Sequence, residues 1–353
     1  MLLVRPVVFG DLHNLERLAV MAGGSMSTLP ANRDHLAEII AITRRTLSDT
    51  RQLSTESCHF VLEDSTTGEL CGVAGINAAV GLRYPFYSYR IDDIVHASDE
   101  LQMHSRVEAL RLCHEYTGSA SLCSLFLAPE HRTLEKLELL SRARLLFIAV
   151  HRAWFGSRIM VELQGVRDQH GQSPFWECLG RHFFSMALDR AVYLAGTKAR
   201  SFIADMMPKY PVYMPLLNED ARGAIGCVHP DRRDVLRLLE DEGFEFADHV
   251  DIFDAGPQLE ARLGQLRTLR EADMAEADIA DTHGTEVTHL VCNAGLLDFR
   301  CLQATADAGK VSLSAGQADA LRVSAGDPVL QVAADNNKQC AGTLKRTGDH
   351  CHD

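Results

Sequence analysis

No stretch of this 353-residue sequence holds the roughly 18 uncharged apolar residues needed to cross a bilayer. The longest apolar run, Leu145–Val150, is stopped by Arg144 and His151. The N-terminus, MLLVRPVVFGD, lacks the basic lead and long apolar core of a secretory signal, so a cytoplasmic chain is expected. CxxC pairs are missing as well. The 10 cysteines are scattered and read as reduced, mostly buried small hydrophobes. The terminal His350-Cys351-His352 has no second motif to converge with, so no metal site is expected. No block of Lys or Arg occurs, and 35 Lys+Arg stand against 48 Asp+Glu for a net charge of −13, which excludes a nucleic-acid scaffold. No repeat or low-complexity segment is visible.

What is present is ordinary globular material, 46% hydrophobic and 24% charged, long enough for about two domains. Leu2–Val8 reads as a strand, followed by an amphipathic helix capped by Asp11 and a second helix, capped by Asn32 or Asp34, through about Leu47. His59–Glu63 and Cys71–Ala79 form a hairpin around Thr67-Gly68. Tyr84–Ile91, Ala109–His114 and Ser121–Leu127 read as extended, and a long helix with an apolar face (Leu134, Leu137, Leu140, Phe147) runs from about Arg132 to Trp154. Strand Ile159–Val166, a short helix Pro174–Arg181, helix Arg232–Glu242 and strands within Phe244–Phe253 complete residues 1–257. The order is that of a mixed α/β (α+β) domain with an antiparallel front. Residues 258–281 are charged and Ala-rich and read as a connector. Short strands bracketing helix Ala315–Leu321 suggest a small β-barrel over 282–333, and 334–353 form a polar tail.

One junction carries chemistry. Strand Ser121–Leu127 ends at Pro129 and a helix opens near Arg132. A helix N-terminus offers unpaired N–H groups and a positive dipole end to a phosphate, while the strand end can hydrogen-bond an extended ligand. GNAT acyltransferases hold coenzyme A in this way. Around this junction occur, in order, Val61-Leu62-Glu63-Asp64, Leu122-Cys123-Ser124-Leu125-Phe126-Leu127, Leu139-Leu140-Ser141-Arg142-Ala143-Arg144, Ser173-Pro174-Phe175-Trp176, Val228-His229-Pro230 and Asp251-Ile252-Phe253-Asp254-Ala255-Gly256-Pro257. Together these strings resemble the arginine N-succinyltransferase family, specifically from Leu3 to about Pro257 and more weakly to about Val332.

The resemblance implies a GNAT-like mixed sheet with flanking helices, with two related halves breaking near 160–190, followed by the small barrel. It implies transfer of succinyl from succinyl-CoA to the α-amine of L-arginine, without metal or prosthetic group. It also implies an oligomer, either of one chain or with a paralogous subunit. A weakly catalytic or non-catalytic partner subunit, and ornithine as acceptor, stay open beside this.

His229 matches the family's proton donor, and His96, His114 and His182 are its rivals. Leu125 matches the position that contacts succinyl-CoA, with Phe126, Leu127 and Arg132 beside it. The phosphate loop departs from the superfamily's Arg/Gln-x-x-Gly-x-Gly. In Arg132-Thr133-Leu134-Glu135-Lys136-Leu137, Glu135 and Leu137 replace the glycines and are expected to crowd the phosphate, with Lys136 offsetting Glu135. A guanidinium wants a planar carboxylate, for which Glu162, Asp168, Asp251 and Asp254 are candidates; Asp251 and Asp254 could equally cap a turn. The succinyl carboxylate wants an arginine, and Arg90, Arg142 and Arg181 are the candidates.

Overall fold

The computed structural model describes residues 1–23, 26–48, 56–197, 201–279, 287–307 and 309–335. The His350-Cys351-His352 motif and nearly all of the polar tail lie outside the described residues.

The chain opens with β1 (Leu2–Pro6), α1 (Leu12–Ala22), α2 (Arg33–Ser48), β2 (Ser57–Asp64) and β3 (Glu69–Asn77). There follow β4 (Ser88–Ser98), β5 (Met103–Cys113), β6 (Ala120–Leu127), α3 (Leu134–Val150) and β7 (Arg158–Glu162). Then come α4 (Arg181–Phe184), α5 (Leu188–Thr197), α6 (Ser201–Met206), β8 (Val212–Tyr213), α7 (Glu219–Ala224) and α8 (Arg233–Glu242). Next are β9 (Glu245–Val250), β10 (Pro257–Arg262), α9 (Arg267–Glu271) and β11 (Asp273–Ile279). Last are β12 (Val287–Cys292), β13 (Cys301–Asp307), β14 (Lys310–Leu313), α10 (Ala315–Leu321) and β15 (Pro328–Ala333).

The main sheet has the order β1-β2-β3-β6-β7-β10-β9-β4-β5-β8. Its pairs are antiparallel except β6 with β7, which is parallel. Side chains alternate across a strand, and β2 shows what that achieves. Phe60 and Leu62 pack under α3, while Val61 joins Leu15, Leu18, Leu36 and Ile40 of α1 and α2 on the other face. The capping residue of α2 is Asn32, whose Oδ1 accepts the His35 N–H at 2.9 Å. A separate core around Tyr89, Phe175, Trp176, Leu188 and Val250 serves β4, β9 and the helices α4 to α7.

Helix α3 departs from a one-sided amphipathic reading. Every residue from Leu137 to Ile148 is buried, whereas Leu134, assigned to the apolar face, is exposed. A helix buried all round is apolar all round or pairs its charges. Here Arg142 donates to Glu138 at 2.7 Å and to Thr268 Oγ1 at 2.9 Å, and its Nε lies 3.0 Å from Glu242, which fastens α3 to α8 and α9.

Two sequence readings are corrected. The segments read separately at 84–91 and 109–114 are parts of one hairpin, β4–β5, that runs unbroken in register from Ser88↔Cys113 to Ser98↔Met103. Its outer half is polar and exposed, so no hydrophobic pattern marks it. The stretch 258–281 is not a connector. It contributes β10 to the main sheet between β7 and β9, and β11 to the barrel. In β10 the charged and polar Gln258, Glu260 and Arg262 alternate with Leu259 and Ala261, which mimics a charged Ala-rich linker. The barrel is a closed ring of five strands, β12-β15-β11-β14-β13 with β12 pairing back to β13, and it joins the main sheet where Val4 of β1 meets Cys301. Cys58, Cys71, Cys113, Cys123, Cys178, Cys292 and Cys301 are free thiols.

Candidate active site

Strands β6 and β7 run together only from Ala120↔Ile159 to Leu122↔Val161 and then part. The cause lies on the other edge of β6. Its register with β3 slips between Val73 and Gly75, and Ser124 adopts a left-handed φ of 54°. Such a bulge bends its strand. Glycine is required at the partner position, since a Cβ at Gly75 would lie 2.8 Å from Cys123 Sγ and 2.9 Å from His59 Nε2. Between the parted strands opens a cavity of about 500 Å³.

One wall is the bulge itself, Ser121 to Leu125, backed by Arg144 of α3. Of the three strand-end residues assigned to the acyl donor, Leu125 lines the cavity. Phe126 instead packs among the α1–α2 residues and Leu127 beneath α3. Arg144 is buried, and among the described residues no carboxylate lies within ion-pair distance of it. Its Nη1 donates to the carbonyls of Gly75 and Cys123, both at 3.3 Å, and its Nη2 to Ser141 Oγ at 3.0 Å. Burial pushes its pKa down to about 10.

The opposite wall is acidic. Glu162 ends β7, and Asp251 and Asp254 come from the turn between β9 and β10. Asp251 Oδ1 accepts the N–H groups of Phe253 (2.7 Å) and Asp254 (3.0 Å), and the carboxyl also hydrogen-bonds Glu162. Asp254 spends both oxygens on backbone, Oδ1 on Gly256 N–H at 2.9 Å and Oδ2 on Gly165 N–H at 3.0 Å. The chain crosses itself closely there, for a Cβ on Gly256 would lie 2.1 Å from the Leu163 carbonyl. Gln258 holds Glu162 at 2.8 Å. Burial, then the neighbouring carboxylate, pushes Asp251 and Asp254 each up to about 7. Asp168 stands apart on an exposed loop, accepting from the N–H groups of His170 and Gln172.

The raised acids carry a pH signature. Between the ordinary carboxylate range and about 7 the folded state holds more protons than the unfolded chain, so stability falls as pH rises through that window. Asp251→Asn keeps the Oδ1 acceptor and removes the charge. Its melting temperature relative to the parent protein is expected to be several degrees higher at pH 8 than at pH 5, as scanning calorimetry would record; an equal shift at both pH values would contradict the raised pKa.

His229 sits at the rim. Its N–H donates to the Gln164 carbonyl at 2.8 Å, Val228 bridges to Gly165, and its Nδ1 accepts the Asp231 N–H at 3.2 Å. The ring is turned by its own cap so that Nε2 is the nitrogen not used by that turn. His229 is absent from the cavity wall, while its neighbours Gln164 and Arg232 line it. The rivals lie elsewhere: His96 lies beside Tyr213 on the outer hairpin, and His114 and His182 are exposed.

Arg132 reaches this same loop, with Nη2 2.8 Å from both oxygens of Asp234 and 2.7 Å from the Asp231 carbonyl. Near it, Arg232 lines the cavity with no carboxylate in ion-pair range among the described residues. Burial, and then the Arg132 charge, lowers its pKa. The expected crowding at the helix start is half corrected. Thr133 caps α3, Glu135 is exposed in its first turn, and Leu137 is turned by helical geometry into the core. Arg90 is held by Asp92 and Glu115, Arg142 by Glu138 and Glu242, and Arg181 by Glu177, and none of the three lines the cavity.

Sequence reasoning missed Arg232, Arg144, His59, His35 and Ser124 as wall residues. No signal in the sequence marked Ser124, because the β3–β6 pairing that makes its bulge joins strands more than 40 residues apart, and nothing distinguished Arg144 from any other helical arginine. Two trios of metal-ligating type, Cys113–Glu115–His249 and Glu69–Glu130–His131, occur among the described residues, and neither lines the cavity.

The geometry can be set beside known proteins. The family model for the arginine N-succinyltransferase beta subunit matches residues 2–268, and that for its C-terminal domain matches 270–333. Arginine N-succinyltransferases of Salmonella arizonae and Salmonella schwarzengrund are each 42% identical over 335 residues, covering 94% of this chain and 97% of theirs. The solved structure of arginine/ornithine succinyltransferase subunit AI from Pseudomonas aeruginosa is 36% identical and superimposes with a TM-score of 0.87 over 94% of this chain and 98% of that one. A cavity opened by a parted strand pair, an acidic far wall and a match along almost the whole chain agree: this chain belongs to the arginine N-succinyltransferase family.

Proposed function

We propose that the protein transfers the succinyl group of succinyl-CoA to the α-amine of L-arginine, giving N2-succinyl-L-arginine and CoA, as an opening step of arginine breakdown in the cytoplasm. The observation that carries this is the cavity between β6 and β7, with the bulge on one wall and the Glu162–Asp251 carboxyls on the other. A GNAT-type reading of the core assigns the parts. The pantetheine arm runs along the strand end at Leu125, and the diphosphate meets the start of α3 and the Arg132–Arg232 pair. The guanidinium is met by Asp251 and Glu162, with Asp254 holding their turn in place.

The α-ammonium gives one proton to water and its lone pair adds to the thioester carbon. Backbone N–H donors stabilise the oxyanion, and its collapse breaks the C–S bond and expels the CoA thiolate, which takes up, relayed through His229, the second proton that the nitrogen sheds as it becomes an amide. This chemistry needs no metal or prosthetic group. Charge complementarity supports the acceptor class, since a cationic side chain repays the cost of gathering two carboxyls out of water.

The solved relative is a subunit of an arginine/ornithine enzyme, so ornithine is the competing acceptor and a paralogous subunit the candidate partner. A carboxylate at the helix start, Glu135, is the one feature that favours a weakly catalytic partner role. Calorimetric titration of the purified chain with succinyl-CoA, followed by steady-state rates with arginine and with ornithine, decides between them. Binding and turnover with a higher kcat/KM for arginine is expected; no binding by the chain alone would overturn the catalytic reading.

A further inference from the structure

One buried group lies inside the cavity that the transfer step leaves unused. His59 of β2 projects onto the α1–α2 face of the sheet, 97% buried by its 3% exposure, and its Nε2 lies 3.1 Å from Ser124 Oγ on the bulge. Its Nδ1 has no hydrogen-bond partner among the described residues. Buried donors are almost always paired, whereas an unpaired acceptor is better tolerated. The proton therefore belongs on Nε2, donating to Ser124 Oγ. That leaves the Ser124 hydroxyl to donate onward, and its present acceptor is the Thr28 carbonyl at 3.3 Å, a long contact. Ser124 holds a left-handed φ of 54° in order to stand there, a conformation that non-glycine residues adopt mainly where surrounding structure enforces it. His35 of α2 lines the same pocket and acts electrostatically on His59, and Glu38 is the acid that faces His35.

We infer that the His59–Ser124 pair, with His35 beside it, is the receptor for the free carboxylate of the acyl donor, and that it sets the preference for a dicarboxylic acyl group over a neutral one. The inference rests on the transferase reading above and deepens it. Distance selects the pair. With the thioester carbon at the strand end, the succinyl carboxylate carbon lies roughly 4 Å beyond it by ordinary C–C bond lengths, so its receptor must belong to the bulge or the residues touching it. Charge agrees. Arg144, unmatched by any carboxylate in ion-pair range among the described residues, sits behind the same bulge and donates to the Cys123 carbonyl. The acids of the far wall, Glu162 and Asp251, are placed instead for the acceptor. Burial pushes His59 down to about 4, with His35 adding to the effect, so the pocket carries a neutral donor chain. A carboxylate accepts the Ser124 O–H in a shorter, charge-assisted hydrogen bond than the Thr28 carbonyl does.

The test compares kcat/KM for succinyl-CoA with that for butyryl-CoA, which replaces the carboxylate by a methyl group. Ser124→Ala and His59→Ala are expected to lower the succinyl-to-butyryl ratio about tenfold to hundredfold, and His59→Gln, which keeps an N–H donor, to recover part of it. Binding of product CoA by calorimetry reports that each variant is folded; should one fail to bind, His35→Gln is expected to show the same loss of ratio on a smaller scale. An unchanged ratio, or a parallel fall with both donors, overturns the receptor. A parent protein inactive with every acyl-CoA overturns the transferase reading instead.

Discussion

Replacing His229 by alanine is expected to lower kcat by about 10²–10⁴-fold, with little change in the calorimetric affinity for CoA. The ring is fixed before any substrate arrives. Its residue is anchored to Gln164, and Nδ1 is held by the Asp231 N–H. This leaves Nε2 to face a leaving group, and imidazole is the side chain whose ordinary pKa suits a proton step near neutrality. Loss of that cap costs about 1 kcal/mol, too little to unfold a chain of this size, so a lost rate would report chemistry rather than collapse. The rim position matters too. Gln164 and Arg232 line the cavity and carry the loop of His229 to its opening, where the proposed reading puts the departing CoA sulfur. A parent-like rate in His229→Ala would remove it from the mechanism. Among the described residues, the histidines that line the cavity, His35 and His59, would then be the next to test.

Much of this was legible before any coordinates, for reasons that differ by element. The hairpin β2–β3 and helix α10 follow from short-range signals, a turn at Thr67-Gly68 and the Ser314–Gln317 capping box. The acids Glu162, Asp251 and Asp254 were visible as carboxylates near strand ends, and only three-dimensional convergence distinguishes their parts. Asp254 turns both oxygens to backbone, while Asp251 turns one edge to Glu162. The β4–β5 hairpin and β10 escaped because a polar, solvent-facing or charge-alternating strand carries no hydrophobic signal. Leu137 illustrates the opposite error. It was counted against the phosphate site by its place in a motif, yet the helix rotates it into the core. The bulge was illegible, since a bulge is a count of one strand against its partner and a single sequence does not show which residues pair.

The carboxyl wall should respond as strongly as the histidine. Asp251→Asn is expected to raise KM for arginine by about 10²–10³-fold, the usual consequence of leaving a buried charge without its partner, and to lower kcat much less. The substitution preserves the Oδ1 that caps Phe253 and Asp254, so the turn stays intact and the charge alone is lost. The effect should grow with pH. Below about 7 the parent carboxyl is itself largely protonated and resembles the amide, and above it the negative charge that a guanidinium needs is restored. Arginine binding to the parent protein should tighten from pH 6 to pH 8 and release protons, whereas the variant should show a flatter profile. Asp254→Asn makes the contrast. Both its oxygens accept backbone N–H groups, so an amide NH₂ must face the N–H of Gly165 or Gly256, and the expected result is a lower melting temperature rather than a selective rise in KM. Were Asp254→Asn to shift KM as Asp251→Asn does while melting normally, the division between a guanidinium-binding Asp251 and a turn-holding Asp254 would be wrong.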